Sequence, residues 1–266
     1  YAYPTAGVFH VSFRNGNNEK IEFTAQLNSF SGLELMAEGP LSNKKNNSFL
    51  ISYRYSFIQM ADLLGIPIGT NATPNYQDIS FKLNFNTKKF GQISLFGIGG
   101  KSNIDFLGNE LDENDLFANP NQDAYVTSNI GIAGLKHNYL FNNKTYLRTV
   151  IAVSSDGNTY DQDKILENGE LQREVEVKDK NNRVAFSSYV NHKFNAKNML
   201  RVGMLTQYFN LNLQNRDRTQ TPDWITVRNF SGGLALSELY AQWQYRISNR
   251  WTLNSGVHTQ LLTSNK

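Results

Sequence analysis

The feature that most constrains the fold of this chain is an alternation of short polar turns and long polar connections. The short turns lie at residues 42–47, 86–89, 142–144, 195–197 and 248–250. The long connections occupy residues 57–76, 100–123, 155–182 and 211–232. The short turns leave no room for a crossover, so the segments that they join must be antiparallel neighbours. The spacing predicts a sheet with tight turns at one rim and large loops at the other.

The segments between these connections alternate apolar and polar residues with period two, which is typical of β-strands. The first segment places Ile21, Phe23, Ala25 and Leu27 between Glu22, Thr24, Gln26 and Asn28. From Lys20 onward the pattern predicts eleven strands and no long helix. Glycines disturb the pattern in two segments, where they suggest bulges or close contacts that shift the register. These glycines are Gly97, Gly99, Gly100, Gly131 and Gly134.

Strand length and the two kinds of connection favour a membrane barrel over a soluble fold. Strands of about ten residues match a tilted membrane span, whereas soluble strands more often have about five or six residues. Outer-membrane barrels carry short periplasmic turns and long extracellular loops. We therefore predict an all-β fold, an antiparallel transmembrane β-barrel with its polar face inside. A soluble secreted sandwich with the apolar face inside is an alternative.

Aromatic residues flank the short turns and predict an aromatic girdle at the periplasmic rim. Cross-strand aromatic packing is the other interpretation of this cluster. The residues concerned are Phe90, Tyr139, Phe141, Tyr146, Phe194, Trp243, Tyr245 and Trp251.

Composition excludes several classes of function. The net charge of +3 gives no electrostatic case for nucleic-acid binding. The chain has no cysteine, so disulfides, thiolate metal sites and cysteine nucleophiles are absent from it. Residues 1–10 do not have the pattern of a signal peptide, and residue 266 follows directly on a strand. We expect the chain to be part of a longer protein.

The sequence offers no catalytic motif, and we predict no enzyme activity and no catalytic residues. It has no GxSxG, HExxH or P-loop pattern, and its four histidines lie on different strands. Acid-rich segments surround Asp112 and Asp115, and Asp156 and Asp161. Such oxygen clusters can hold calcium, but neither has the spacing of a known calcium loop, and plain solvated loops are the alternative.

The opening residues resemble the plug-to-barrel junction of TonB-dependent outer-membrane transporters. Residues 7–18 (GVFHVSFRNGNN) resemble the last plug strand with its closing Asn-Gly turn. Residues 33–41 (LELMAEGPL), with SNKKNN and SFLISYRYS after them, are similar to the opening barrel strands. Residues 76–86 and 90–100 continue this likeness. The match is closest to the branch that carries an N-terminal carboxypeptidase-regulatory-like domain.

The resemblance implies a barrel of about 22 strands with a plug in its lumen. Residues 1–18 would be the C-terminal end of the plug, and residues 19–266 the first part of the barrel. The implied function is TonB-dependent import of a siderophore, cobalamin, glycan or peptide across the outer membrane. The implied partners are outer-membrane lipid, the TonB complex through a missing N-terminal part, and a surface lipoprotein. A passive porin or a structural barrel of a surface complex is the alternative, with residues 1–18 as another wall strand.

Two groups of residues follow as candidate sites in such a barrel. One group would face the lumen and pair with the plug, or line a substrate path; it comprises Glu34, Glu38, Arg54, Lys82, Arg148, Arg183, Arg201, Glu238 and Arg246. The other group lies in predicted loops that would meet substrate or a partner; it comprises Ile66, Ile68, Asp112, Asp115, Asp156, Asp161 and Trp224. We expect no cofactor beyond calcium in the acidic loops.

Overall fold

The computed structural model describes residues 12–28, 32–42, 46–56, 74–108 and 119–265, and the strands among them form one antiparallel sheet. Each strand pairs with its neighbours in sequence. The strands are β1 (Glu22–Asn28), β2 (Gly32–Ser42), β3 (Asn47–Tyr55), β4 (Asn75–Thr87), β5 (Gly91–Phe106), β6 (Gln122–Asn142), β7 (Thr145–Ile165), β8 (Leu171–Lys193), β9 (Asn198–Asp217), β10 (Ile225–Arg246) and β11 (Thr252–Asn265). The described segments contain no helix long and apolar enough to cross a bilayer. The predicted all-β fold with eleven antiparallel strands is confirmed.

The two ends of the sheet carry different connections. The turns after β2, β4, β6, β8 and β10 are short and share one end, here called the short-turn end. The other end, the far end, carries the remaining connections. Strand length rises from 9 residues in β3 to 23 in β8. Because a tilted strand needs only about 9–11 residues to cross a bilayer, the long strands extend well beyond that span.

Three predicted long loops are wrong in extent, one of them residues 100–123, because β5 continues to Phe106. Residues 155–182 and 211–232 were expected to be loops, but β7 continues to Ile165 and β9 to Asp217. The actual connections are residues 166–170 and 218–224. Asp156 and Asp161 therefore lie within strand β7 rather than in a loop. Residues 155–165 of β7 are polar on both faces and lack the period-two alternation, whereas Leu211 and Leu213 of β9 continue an alternation that the sequence interpretation overlooked. The strand form of both stretches depends on backbone pairing with the neighbouring strands.

The strand register sorts the side chains onto two faces. Directly paired residues point to the same side, and successive residues alternate. Away from the bulges, one face carries the even-numbered residues of β1–β7, β10 and β11 and the odd-numbered residues of β8 and β9. We call this the polar face and the opposite one the apolar face. Most exposed large hydrophobic side chains lie on the apolar face.

Of the two expectations from sequence, close contacts occur at Gly97, Gly100 and Gly134, whereas none of the disturbing glycines marks a bulge or a register shift. The register is continuous through them, and the shifts occur between Pro40 and Ser42 and at three other places. Rings cover some of these glycines instead. A Cβ added at Gly134 would lie 2.5 Å from Cζ of Phe96 and 3.1 Å from the Ile151 carbonyl oxygen. Because these glycines have no side chain, the aromatic ring of the paired residue can pack over them. This packing fixes the register of the two strands.

Filling one of these ring-covered positions should destabilise the sheet. We expect Gly134→Ala to lower the free energy of unfolding by about 1–3 kcal/mol, because the Phe96 ring must leave its position. Gly99→Ala is the matched control, since its added Cβ has only ordinary contacts at 3.7 and 3.9 Å. Urea unfolding of the intact protein in detergent micelles measures both. Equal losses in the two variants would contradict the packing role of the ring.

Candidate functional site

Residues 13–17 lie across the polar face of β2–β4 and are held there by charged hydrogen bonds. Arg14 donates from both terminal nitrogens to the Glu38 carboxylate, at 2.5 and 2.6 Å. The backbone N–H of Asn17 donates to the same carboxylate at 2.8 Å. Lys82 Nζ donates to the carbonyl oxygen of Phe13 at 2.8 Å. Glu38 and Lys82, both predicted to face a plug, are therefore the residues that this segment contacts.

The close approach of this segment depends on one glycine. A Cβ added at Gly16 would overlap the carbonyl oxygen of Phe49 in β3. Only a residue without a side chain allows the backbone to lie so near the strand. The Glu38 side chain is 8% exposed, whereas that of Arg14 is 56% exposed. The carboxylate is thus fixed in the wall, and the segment brings the compensating charge to it.

Cations are concentrated on the polar face toward the short-turn end. Lys82, Lys136, Arg148 and Arg201 occupy this face on β4, β6, β7 and β9. Arg148 donates to the Tyr189 hydroxyl at 3.3 Å, and the Arg201 guanidinium lies 4.8 Å from the centre of the same ring. Such a surface requires water or a polar filling, because burying these charges against apolar groups would be too costly.

A hollow of about 530 Å³ lies on the polar face toward the far end. It forms where Gly100 lacks a side chain between Asp78 and Ile130, its partners on the neighbouring strands. Arg54 forms a 2.7 Å ion pair with Asp78 at its edge. Asp156, also at the edge, accepts a 3.1 Å hydrogen bond from Asn181. The hollow therefore offers several hydrogen-bonding groups but no unpaired cluster of like charges.

The extended ends of β7–β10 are bound together by ion pairs. Arg173 bridges Asp161, at 2.8 Å, and Asp163. Arg216 pairs with Glu176, and Arg228 with Asp179 at 2.6 Å. Trp224 lies between two guanidinium groups, 5.0 Å from that of Arg216 and 4.8 Å from that of Arg218. These contacts give the water-exposed hairpins cross-strand links where apolar packing is absent.

Acid should loosen these extended hairpins. The hydrogen bond from Arg216 lowers the pKa of Glu176 below its usual value. A carboxyl with a lowered folded-state pKa stabilises the fold at neutral pH and loses that contribution as pH falls through the folded pKa. We expect the protection factors of the amides in residues 174–178, which are corrected for the intrinsic pH dependence of exchange, to fall as the pH drops through the lowered pKa of Glu176.

The matched variant for this pH effect is Arg216→Gln, which removes the charge that lowers the pKa of Glu176. The variant should exchange faster at pH 7 and respond less to acid. The expected change is below about 1 kcal/mol, because the Arg216 side chain is 48% exposed and solvent screens the pair. An identical acid response in both proteins would assign the effect to other carboxylates, such as those bound by Arg173.

The apolar face carries a continuous band of exposed hydrophobic side chains. Phe23 is 81% exposed, Val257 74% and Val184 50%. Seven of the eight aromatic residues predicted for a girdle lie at the short-turn end, on the apolar face or in the turns beside it. Tyr146 is the exception, because its register places it on the polar face with Asn191. A Tyr139–Phe141 edge contact and a stacked Trp243–Tyr245 pair connect rings within this group.

All nine residues predicted to face the lumen share the polar face. The register of the described strands places them there together: Glu34, Glu38, Arg54, Lys82, Arg148, Arg183, Arg201, Glu238 and Arg246. The loop candidates are dispersed. Asp156 lies on the polar face and Asp161 on the apolar side, while Trp224 ends the connection before β10. Ile66, Ile68, Asp112 and Asp115 lie outside the described residues.

Sequence reasoning did not identify the residues that bind the predicted ones. Arg14 and Asn17 bind Glu38, and Asp78 binds Arg54. Asp78 was detectable in principle, since Arg54 and Asp78 are directly opposed once the β3–β4 register is known. The described residues contain no group of three or more His, Cys, Asp or Glu side chains that could hold a metal ion.

Comparison with known proteins gives a match in structure only. No family model and no curated protein matches the chain. The pyoverdine outer membrane receptor FpvA from Pseudomonas aeruginosa PAO1, solved with bound pyoverdine, matches with a TM-score of 0.67 over 95% of this chain. The fold is similar to part of an outer-membrane receptor barrel. At 11% identity, the match concerns the fold alone.

The match covers different shares of the two chains. This chain spans 42% of the length of the FpvA chain. The described sheet therefore corresponds to part of a larger barrel-like fold in that receptor.

Proposed function

We propose that this chain forms the end of the plug and the first part of the barrel wall of a TonB-dependent transporter in a bacterial outer membrane. The single observation that carries the proposal is the placement of residues 13–17 on the polar face, tied to Glu38 and Lys82. A segment that crosses the inside of a wall is what a plug requires. The branch with a carboxypeptidase-regulatory-like domain remains part of this proposal on sequence resemblance alone.

The exposed apolar face supports a membrane location. Soluble proteins rarely expose contiguous apolar patches larger than a few hundred Å². In β10 the apolar face is hydrophobic or small from Ala235 to Tyr245, which matches the about 9–11 residues of a tilted membrane strand. Lipid would cover this band, and the polar face would enclose the polar filling that its cations require.

The sheet edges support a larger barrel. Among the described residues, β1 pairs only with β2, and β11 pairs only with β10. Each unsatisfied backbone group in the hydrocarbon of a bilayer costs several kcal/mol, so an open edge does not occur there. We propose that further strands of the intact protein pair with both edges and close the barrel.

The substrate would approach from the far end, where the 530 Å³ hollow lies on the polar face. Its carboxylates, amides and the Arg54–Asp78 pair suit a polar organic ligand such as a siderophore, cobalamin, glycan or peptide. The protein performs no covalent step in this proposal. Energy from the inner-membrane TonB complex would shift the plug, and a surface lipoprotein would meet the far-end connections.

Conductance of the intact protein tests the plug against the porin alternative. We expect the purified full-length protein to give no steady ion current in planar bilayers, because the plug fills the lumen. Deletion of the plug, through residue 18, should open a permanent current. A porin would conduct without any deletion. Loss of ligand accumulation in cells that lack the TonB complex tests the energised step separately.

A further inference from the structure

The apolar face contains a shallow hollow of about 700 Å³ near the far end of its hydrophobic band. Small side chains form its floor, and larger ones border it. Gly99, Gly131 and Ser155 are successive ladder partners on β5, β6 and β7. Val184 and Tyr208 border them on β8 and β9. A Cβ added at Gly131 would meet nothing within 4 Å, so the space above it is open.

A second hollow, of about 410 Å³, adjoins the first on the side toward the far end. Its floor is Gly157, and Lys178 and Lys180 of β8 line it. Gly157 pairs with Lys180, one alternate position beyond the Ser155–Asn182 pair that borders the apolar hollow. Amide side chains from Asn129, Asn212 and Gln214 complete the lining. The two hollows thus form one surface, apolar at one end and cationic at the other.

Lys178 and Lys180 belong to two ladder rows, and the charged side chains in these two rows are all positive. Lys101 belongs to the same ladder row as Lys180, through Asn129 and Gly157. Two acids lie close by, and each is bound by an arginine. Asp179 also lines the hollow, but its register places it on the polar face, where Arg228 pairs with it. The Glu176 carboxylate lies 3.9 Å from Lys178 Nζ and is bound more closely by Arg216. The Lys178 side chain is 56% exposed. These lysines can therefore offer charge to a ligand from outside the chain.

We propose that this surface binds one phospholipid of net negative charge from the surrounding membrane. Its acyl chain occupies the hollow above Gly131, and its phosphate lies against Lys178 and Lys180. The proposal rests on the membrane location proposed above. The main support for the proposal is the order of the two hollows. The lysines lie just beyond the end of the hydrophobic band, and this is the depth of lipid headgroups. Charge complementarity and the amide donors suit a phosphate oxygen.

The combination of an apolar hollow and a cationic hollow argues against two other ligands, a soluble anion and a neutral lipid. A soluble anion would use the lysines but would leave the 700 Å³ apolar hollow unfilled. A neutral lipid would fill the hollow but would not use the lysines. A lipid whose phosphate carries an uncompensated negative charge uses both ends, since long lysine side chains can also bend toward the headgroup region.

Lipid binding by the intact protein tests the proposal. The purified full-length protein in a non-ionic detergent is titrated with phosphatidylglycerol, with phosphatidylcholine and with inorganic phosphate, and bound lipid is counted by native mass spectrometry. We expect a preference for phosphatidylglycerol. Lys178→Gln and Lys180→Gln should each weaken its binding about fivefold, given the attraction of about 1 kcal/mol per near-surface lysine.

Two further variants separate the two ends of the surface. Gly131→Leu should weaken both lipids by filling the apolar hollow, in a position where the fold has space for it. The matched control, Lys144→Gln with Lys197→Gln, removes two exposed lysines at the short-turn end and should change nothing.

Equal binding of both lipids, equal binding by the lysine variants, or equal binding of inorganic phosphate would overturn the lipid site. If the lipid site is overturned but the protein still fractionates with the outer membrane, the transport proposal is unaffected. A protein found outside the membrane would instead overturn the transport proposal.

Discussion

Gly16→Ala should release residues 13–17 from the sheet and produce the largest change expected in this protein. The added Cβ would overlap the Phe49 carbonyl oxygen, a backbone atom fixed by the β3 ladder. Neither side can yield cheaply, so the loss in docking free energy should reach or exceed about 3 kcal/mol, the upper end for overpacking. Limited proteolysis and hydrogen exchange at residues 12–20 of the intact protein measure this release.

Gly131→Ala is the matched control for this variant. It makes the same chemical change at a glycine whose added Cβ meets nothing within 4 Å. Residues 12–20 should stay protected in the control, and the sheet should remain folded in both proteins. Unchanged protection in Gly16→Ala would show that the segment is not bound to the wall. If the segment belongs to the plug, this variant should also raise ion leakage through the barrel.

Glu38→Ala should weaken the same docking by about 2–3 kcal/mol, since hydrogen bonds to charged groups contribute about 1.5–3 kcal/mol. The change removes the acceptor of the Arg14 pair and of the Asn17 N–H. Arg14 remains 56% exposed, so water compensates part of its charge and the loss stays below that of a fully buried pair. Hydrogen exchange at residues 14–17 should quicken, while exchange in the β7–β9 ladder stays unchanged.

Glu34→Ala controls for the loss of a carboxylate from the same strand and face. Glu34 opposes Arg54 across the β2–β3 ladder and accepts a 3.1 Å hydrogen bond from the Ser52 hydroxyl of β3. Its removal should leave the protection of residues 14–17 unchanged. Equal effects of the two substitutions would assign the docking to general charge on the face rather than to the Arg14–Glu38 pair.

Local sequence rules were enough for strands whose two faces meet different surroundings. In β3, Phe49, Ile51 and Tyr53 alternate with polar residues, and the strand spans Asn47–Tyr55. The short turns predicted the antiparallel order, which the sheet follows from β1 to β11. The shared face of the nine predicted lumen residues also follows from period two once the turns fix the register.

The same rules failed where both faces meet water. Residues 155–165 of β7 carry polar side chains on both sides, so nothing distinguished them from a loop. Their strand form depends on backbone pairing with β6 and β8 and on ion pairs such as Arg173–Asp161. The role of the glycines stayed open for a related reason. The sequence does not show whether a glycine permits a bulge or makes room for an aromatic ring.

The sequence by itself determined the number of strands, their antiparallel order and the division into a polar and an apolar face. These properties depend on residues near each other in the chain. Only the tertiary structure decided which groups meet: Arg14 with Glu38, Arg54 with Asp78, and the glycine floors with the lysines of β8. Such contacts depend on register and on the path of residues 13–17 across the sheet. Both are set by packing and hydrogen bonding between distant parts of the chain.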